Sequence, residues 1–278
     1  MSRPARAFLW SRAQEGRLIR VMQSVSTGFW LGFLSPSDLD AVDDAYYVGV
    51  NGKRAGPIDY SSNEYNKQGL FDWERRAIEA HFPIGGSIAV MAAGGGREVL
   101  ALRHLSCRVD GWDCQPDFVV AANELLVAEG FEPSVTVAPR NAVPAGADMY
   151  DGLVIGWGAY TLIRGRDRRV ALLRELRARV ETGSPMLLSF FTRGPANVHL
   201  RIATAVGNLV RRVLGRERLD LGDYLEPNFV HGFVEDEIAD ELAAGGFELK
   251  SFVAAPYGHA VAVAASASAA STSGAGQA

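Results

Sequence analysis

The chain lacks most of what several common kinds of protein need. Its 278 residues include two cysteines, Cys107 and Cys114. Two are too few for a disulfide framework, and their spacing is not that of a zinc site. Such sparing use fits a reducing, cytoplasmic compartment. No apolar run reaches the roughly eighteen residues of a membrane span. The apolar start Ala7-Phe8-Leu9-Trp10 is too short for a signal sequence and is expected to lie in an N-terminal helix. Lysine is almost missing, at positions 53, 67 and 250 only. Arginine carries the basic charge, and with abundant alanine and glycine this reflects the base composition of a source genome. The net charge of −4 leaves no electrostatic footprint for nucleic acid or an anionic membrane. There is no phosphate-loop lysine, no Gly-x-Ser-x-Gly elbow, no metal-ligand spacing and no internal repeat. What remains is 48% hydrophobic and 22% charged, the balance of a globular protein with a sizeable core.

One stretch organises the rest. Ser87 to Met91 is a short apolar run of the kind shown by a strand buried on both faces. Gly94, Gly95 and Gly96 follow. Arg97 to Leu102 then has helix formers with apolar residues at helical spacing. A second strand, Arg108 to Trp112, ends in Asp113. Glycines let the backbone approach a ligand closely, and the helix behind them presents unpaired N–H groups. An acid at the tip of the second strand can accept both hydroxyls of a ribose. The order therefore predicts a nucleoside site. It is not the dinucleotide fingerprint, because Val99 stands where Gly-x-Gly-x-x-Gly needs its last glycine.

On these residues the chain resembles the class I S-adenosylmethionine-dependent methyltransferases, in the branch whose glycine loop reads Gly-x-Gly-x-Gly-Arg-Glu. Gly94, Gly96, Glu98 and Asp113 match. Ala92 stands where the family has its first glycine, and Val90 where an acidic residue is often found. The resemblance implies S-adenosyl-L-methionine as cofactor, with Ala93, Gly94, Gly95, Gly96 and Glu98 around its methionine half. It implies Asp113 and Cys114 at the ribose, Asn141 and Ala142 at the adenine, and Gly156 and Trp157 near the transferable methyl. An aromatic loop ahead of the core folds over the amino-acid end in this family, so Tyr60 and Tyr65 either make that contact or pack on their neighbours.

Element order supports the same fold class: a doubly wound, Rossmann-like, seven-stranded sheet with an antiparallel last strand and an N-terminal helical cap. Apolar groups from Leu18 to Phe33 repeat at helical spacing, and Ser35-Pro36-Ser37-Asp38 is a capping box opening the next helix. Residues 1–58 are expected to form a cap or lid, or alternatively a dimerisation arm. Residues 59–265 form the main domain, with helices predicted over 72–82, 116–129, 167–180, 197–218 and 234–244. Its closing strands, 247–254 and 258–264, have a connection too tight for a parallel pair. The long segment 195–233 is read as an acceptor-side insertion, and the low-complexity residues 266–278 as a disordered tail.

Methyl transfer is an in-line displacement governed by alignment, and an oxygen acceptor also needs a base. His231, in the long insertion, is the first candidate; His199 is second, and Tyr160 follows as an orienting hydroxyl. A loop histidine is otherwise structural, and His259 is read as a packed strand residue. The expected reaction is transfer to a small molecule, in keeping with bacterial natural-product biosynthesis, or to a modified peptide. Two alternatives stand beside it: a protein of this fold without transfer activity, and a nicotinamide-dependent oxidoreductase.

Overall fold

The computed structural model describes residues 1–49 and 53–266. In chain order the helices are α1 (Arg3–Phe33), α2 (Pro36–Tyr47), α3 (Asn63–Asn66), α4 (Asp72–His81), α5 (Arg97–His104), α6 (Pro116–Ala128), α7 (Arg166–Arg177), α8 (Val198–Val213) and α9 (Glu235–Gly245). The strands are β1 (Ser87–Met91), β2 (Arg108–Asp113), β3 (Val135–Val137), β4 (Gly152–Ile155), β5 (Pro185–Thr192), β6 (Asp223–Leu225), β7 (Phe229–Phe233), β8 (Phe247–Val253) and β9 (Gly258–Ala264). The chain forms two compact units, one of residues 1–43 and 193–232, the other of residues 44–192 and those from 233 onward.

The larger unit is built on a sheet in the order β3-β2-β1-β4-β5-β9-β8. The first five of these strands run parallel; β9 is antiparallel to β5 and to β8. The apolar run of β1 explains its central place, because successive side chains go to opposite faces. Ile88 and Val90 enter one core with Trp73 and Ile78 of α4, Leu100 of α5 and Leu125 of α6. Ala89 and Met91 enter the other with Leu172 and Leu176 of α7 and Ile238 and Leu242 of α9. Both faces are covered, which is the arrangement a parallel sheet requires. The doubly wound sheet with its antiparallel closing strand is as expected from the sequence.

In the smaller unit α1 lies against α8 at unusually short range. A Cβ on Gly28 would stand 2.3 Å from the Ala203 carbonyl oxygen, and one on Gly32 would stand 2.6 Å from that of Gly207. Small residues one turn apart on both helices are what let the backbones meet. Ser35 and Asp38 cap α2 reciprocally: Asp38 N–H donates to Ser35 Oγ at 3.1 Å, and Ser35 N–H to Asp38 Oδ2 at 2.8 Å. Leu31, Leu39, Leu219 and Phe229 form a small core.

The structure alters two expectations. The N-terminal segment expected to run to residue 58 parts from the rest after residue 43, and it shares its unit with 193–232. The insertion is not a plain connection, since β6 and β7 pair within it as an antiparallel hairpin, Asp223 opposite His231. Two strands only three and five residues long leave little period-two signal to read. The expected tail lies outside the described residues from 267 on. No described helix is long and apolar enough to cross a membrane.

Candidate functional site

A cleft opens at the carboxyl ends of β1, β2 and β4, lined among others by Tyr47, Tyr60, Ala92, Gly94, Asp113 and Trp157. This is the position a doubly wound sheet offers to a ligand. Its floor is the glycine loop. Ala92, Gly94 and Gly96 have φ of 55°, 52° and 95°, left-handed values that glycine accepts readily and alanine does not. Gly96 caps α5. Gly95 is glycine for a different reason: a Cβ there would lie 2.1 Å from the Tyr60 carbonyl oxygen. The aromatic loop rests directly on the glycine loop, and Asn66 holds it there by donating from Nδ2 to the carbonyls of Tyr60 and Ser62, each at 2.9 Å.

Asp113 is buried, yet its carboxylate faces this cleft. Oδ2 accepts the Gly94 N–H and Oδ1 the Gln115 N–H, both at 2.8 Å. Burial raises its pKa above the usual aspartate value, and the hydrogen bonds from Gln115 and Gly94 oppose that rise. Each carboxylate oxygen has a second lone-pair direction, so two further donors fit. Cys114 also lines the cleft, its thiol pushed up to about 11 mainly by burial and then by the Asp113 charge.

Under the loop sits a buried ionic cluster. Arg97 forks onto Glu74, Nη1 to Oε2 at 2.6 Å and Nη2 to Oε1 at 2.7 Å. Nη2 also donates to Glu98 Oε1 at 2.6 Å, and the Phe71 ring lies 4.0 Å from the guanidinium. Two carboxylates thus share one guanidinium. Burial raises the Glu74 pKa, against the pull of Arg97. Glu98 Oε1 further accepts the Trp157 N–H at 3.2 Å, which ties α5 to the turn after β4. Glu98 thus holds Trp157, whose ring lines the cleft.

The structure brings Tyr60, Gly94, Asp113, Cys114 and Trp157 together around the cleft. Other expected residues serve differently. The Ala93 side chain is in the core, and Ala92 lines the cleft in its place. Gly156 allows β4 to approach β1, where a Cβ would meet the Ala92 carbonyl at 2.4 Å. Tyr65 packs edge-on against Tyr60, its hydroxyl pushed up to about 12 chiefly by burial. At the end of β3 it is Arg140 that lines the cleft; Asn141 takes a left-handed turn conformation at φ 59° and Ala142 closes that turn onto Pro139. Tyr160 is the clear correction. It is fully buried and donates its hydroxyl to Glu241 Oε2 at 2.7 Å, inside a cluster with Arg169, so it orients no ligand. The 3₁₀ turn at Ala159–Leu162 rotates it into the core.

Sequence reasoning missed Gln115, Phe118 and Arg140 in the cleft wall. Gln115 and Arg140 adjoin expected residues and could have been found from them. Both donate to Asp44 Oδ1, Arg140 from Nη2 at 2.8 Å. Nothing in the sequence marks Asp44, which the fold brings from the last turn of α2 together with Tyr47.

In the smaller unit His231 is buried, with Nδ1 2.7 Å from Asp223 Oδ1. A carboxylate can only accept here, so the ring proton sits on Nδ1 and Nε2 is the basic nitrogen. Asp223 Oδ2 also accepts the Asp220 N–H at 2.9 Å. Gly222 leaves room for the ring, since a Cβ there would come within 2.9 Å of His231 Cε1. The ligand atoms of Asp220, Asp223 and His231 lie within 4.8 Å of one another, close enough for a metal ion and the one such group among the described residues. Spacing in the sequence shows no such set, because the β6–β7 hairpin creates it. His199 contacts the Ser24 hydroxyl at 3.4 Å. His259 stacks on Trp73 at 4.5 Å, a packed strand residue as expected.

No family model and no curated protein matches the chain. Solved structures do match its shape. A SAM-dependent methyltransferase from Methanosarcina mazei is 16% identical over 71% of this chain and 99% of its own, with a TM-score of 0.54. The CcbJ methyltransferase from Streptomyces caelestis is 16% identical over 81% and 96%, TM-score 0.54. The sugar N-methyltransferase KedS8 from Streptoalloteichus is 14% identical over 78% and 96%, TM-score 0.54. With the β3-β2-β1-β4-β5-β9-β8 sheet and a glycine loop facing an acid at the tip of β2, the chain has the fold of the class I S-adenosylmethionine-dependent methyltransferases.

Proposed function

We propose that the chain binds S-adenosyl-L-methionine in the cleft of the larger unit and transfers its methyl group to a small-molecule acceptor. The observation that carries this reading is Asp113, a buried carboxylate that closes the glycine loop and keeps lone pairs for two more donors. A ribose diol has that pair of donors. The adenine is assigned to the wall of Cys114, Gln115, Phe118 and Arg140, and the methionine end to Ala92, Gly94 and Trp157. The cofactor is cationic at sulfur and at its amino group. When bound, it supplies an electrophilic methyl on sulfonium. The protein's part is to exclude water and hold the acceptor in line. The buried His231–Asp223 pair belongs to the smaller unit and is assigned no step in this transfer. Among the solved structures of this fold are enzymes that act on amino sugars, which supports a small-molecule acceptor over a macromolecule.

Calorimetric titration with S-adenosylhomocysteine tests the reading. Micromolar binding is expected, with none for NAD or NADP. Asp113→Asn, which keeps size and loses charge, should weaken binding about tenfold to a hundredfold, because two hydrogen bonds to a charged acceptor are weakened. Undiminished affinity in a folded Asp113→Asn protein would remove the ribose assignment. The ribose hydroxyls require the ionised carboxylate, whose pKa burial holds above the usual aspartate value. Affinity should therefore fall as pH drops, starting higher than the roughly 3.9 of an ordinary aspartate, with proton release on binding in that window.

A further inference from the structure

Helix α1 spends only one face on α8. Ser24, Gly28, Leu31 and Gly32 look inward, through the short Gly28–Ala203 and Gly32–Gly207 approaches and a bond from Arg211 Nε to the Leu31 carbonyl. At about 100° per residue, the opposite face carries Leu18, Ile19, Met22, Val25, Phe29, Trp30 and Phe33. All seven are between 42% and 63% exposed. The patch is ordered in itself. Phe29 stacks on Phe33 with centroids 5.5 Å apart and planes 9° apart, and Trp30 meets both rings edge-on. Half-exposed side chains of this size present on the order of 700 Å² together, above the few hundred Å² of contiguous apolar surface normal for a monomer.

We infer that this face is the interface of a homodimer in which two copies of α1 pair antiparallel about a two-fold axis near Val25. The spacing of Leu18, Met22, Val25, Phe29 and Phe33, at steps of four, three, four and four, is that of a helix-pairing seam. A two-fold at Val25–Ser26 sets Leu18 against Phe33 and Met22 against Phe29, a thioether on an aromatic ring. The window from Leu18 to Phe33 carries one charge, Arg20, which lies off the seam. The other charges, Arg3, Arg6, Arg12, Glu15 and Arg17, all precede it. Antiparallel pairing moves these basic ends to opposite extremes of the interface, where they do not repel. The area matches the roughly 800 Å² per partner of a standard stable interface. The whole chain's charge of −4 argues against an anionic bilayer as the occupant.

Sedimentation equilibrium of the full chain at micromolar concentration should give the dimer mass. Met22→Glu and Phe29→Glu, both on exposed positions, should sediment as monomers with unchanged far-ultraviolet circular dichroism. Under mild oxidation Val25→Cys should cross-link to itself. Leu18→Cys should cross-link only when mixed with Phe33→Cys, and the unsubstituted chain, whose cysteines are buried or half-buried, should not. A monomeric wild type would overturn the inference, and its flotation with anionic phosphatidylserine vesicles would assign the face to a membrane. Dimers that persist in both glutamate variants would place the interface elsewhere. These outcomes are independent of S-adenosylhomocysteine binding, so failure here leaves the cofactor assignment standing.

Discussion

Ala92 sits at φ 55°, a conformation that costs an L-residue roughly 1–2 kcal/mol. It does so at the mouth of the cleft, where strain is often retained for function. Glycine at this position would remove the strain and give back part of the gain through chain entropy. Ala92→Gly should thus stabilise the protein by up to about 1 kcal/mol and raise Tm by roughly 2 °C in calorimetry. Homocysteine-cofactor affinity should be unchanged. A lower Tm would show that the alanine methyl is a packing contact. Asp113 belongs to the same scale. Its hydrogen bond from Gly94 makes it a clamp for the glycine turn, a structural role that was not visible in a motif. Chemical type at positions 94, 96, 98 and 113 was legible, because a close backbone approach admits few residues. Direction was not. Ala92 and Ala93 are neighbours of one kind, and only the turn of the backbone sends one side chain to the cleft and the other to the core.

At the scale of elements, helices and strands followed from periodicity and capping. Ser35 and Asp38 make the reciprocal cap that their spacing predicts, because such bonds are local. The α1–α8 pairing is different. Gly28 and Gly32 read as weak points in a helix, and they gain meaning only opposite Ala203 and Gly207, some 175 residues further on. Gly32→Leu should drive the helices apart and destabilise the smaller unit by about 1–3 kcal/mol. The measure is faster proteolysis within residues 1–43 and 193–232, with cofactor binding retained in the larger unit. Equal protection of wild type and variant would show that the close approach contributes nothing. The buried Arg97 cluster and the Tyr160–Glu241–Arg169 cluster are likewise invisible in sequence, since their partners come from separate elements.

For the whole molecule, the chain leaves its smaller unit after residue 43 and returns to it at residue 193. His231→Gln or Asp223→Asn should leave S-adenosylhomocysteine affinity within about twofold, as the cleft residues are all in the other unit. Breaking the buried His231–Asp223 hydrogen bond should instead destabilise the smaller unit by about 1–3 kcal/mol, read as a lower midpoint in denaturant titration. An unchanged midpoint would show that the pair contributes nothing to folding. What the sequence by itself determined is the order of elements, the two-faced burial of β1 and the place of the glycine loop. Those depend on patterns a few residues long, imposed by backbone sterics and by the period of strand and helix. Only the tertiary structure decided that Tyr160 is core, that Arg140, Gln115 and Tyr47 are wall, that Asp223 meets His231, and that residues 1–43 belong with 193–232. Each of these rests on contacts between segments far apart in the chain, where many pairings satisfy the same local pattern and packing selects one.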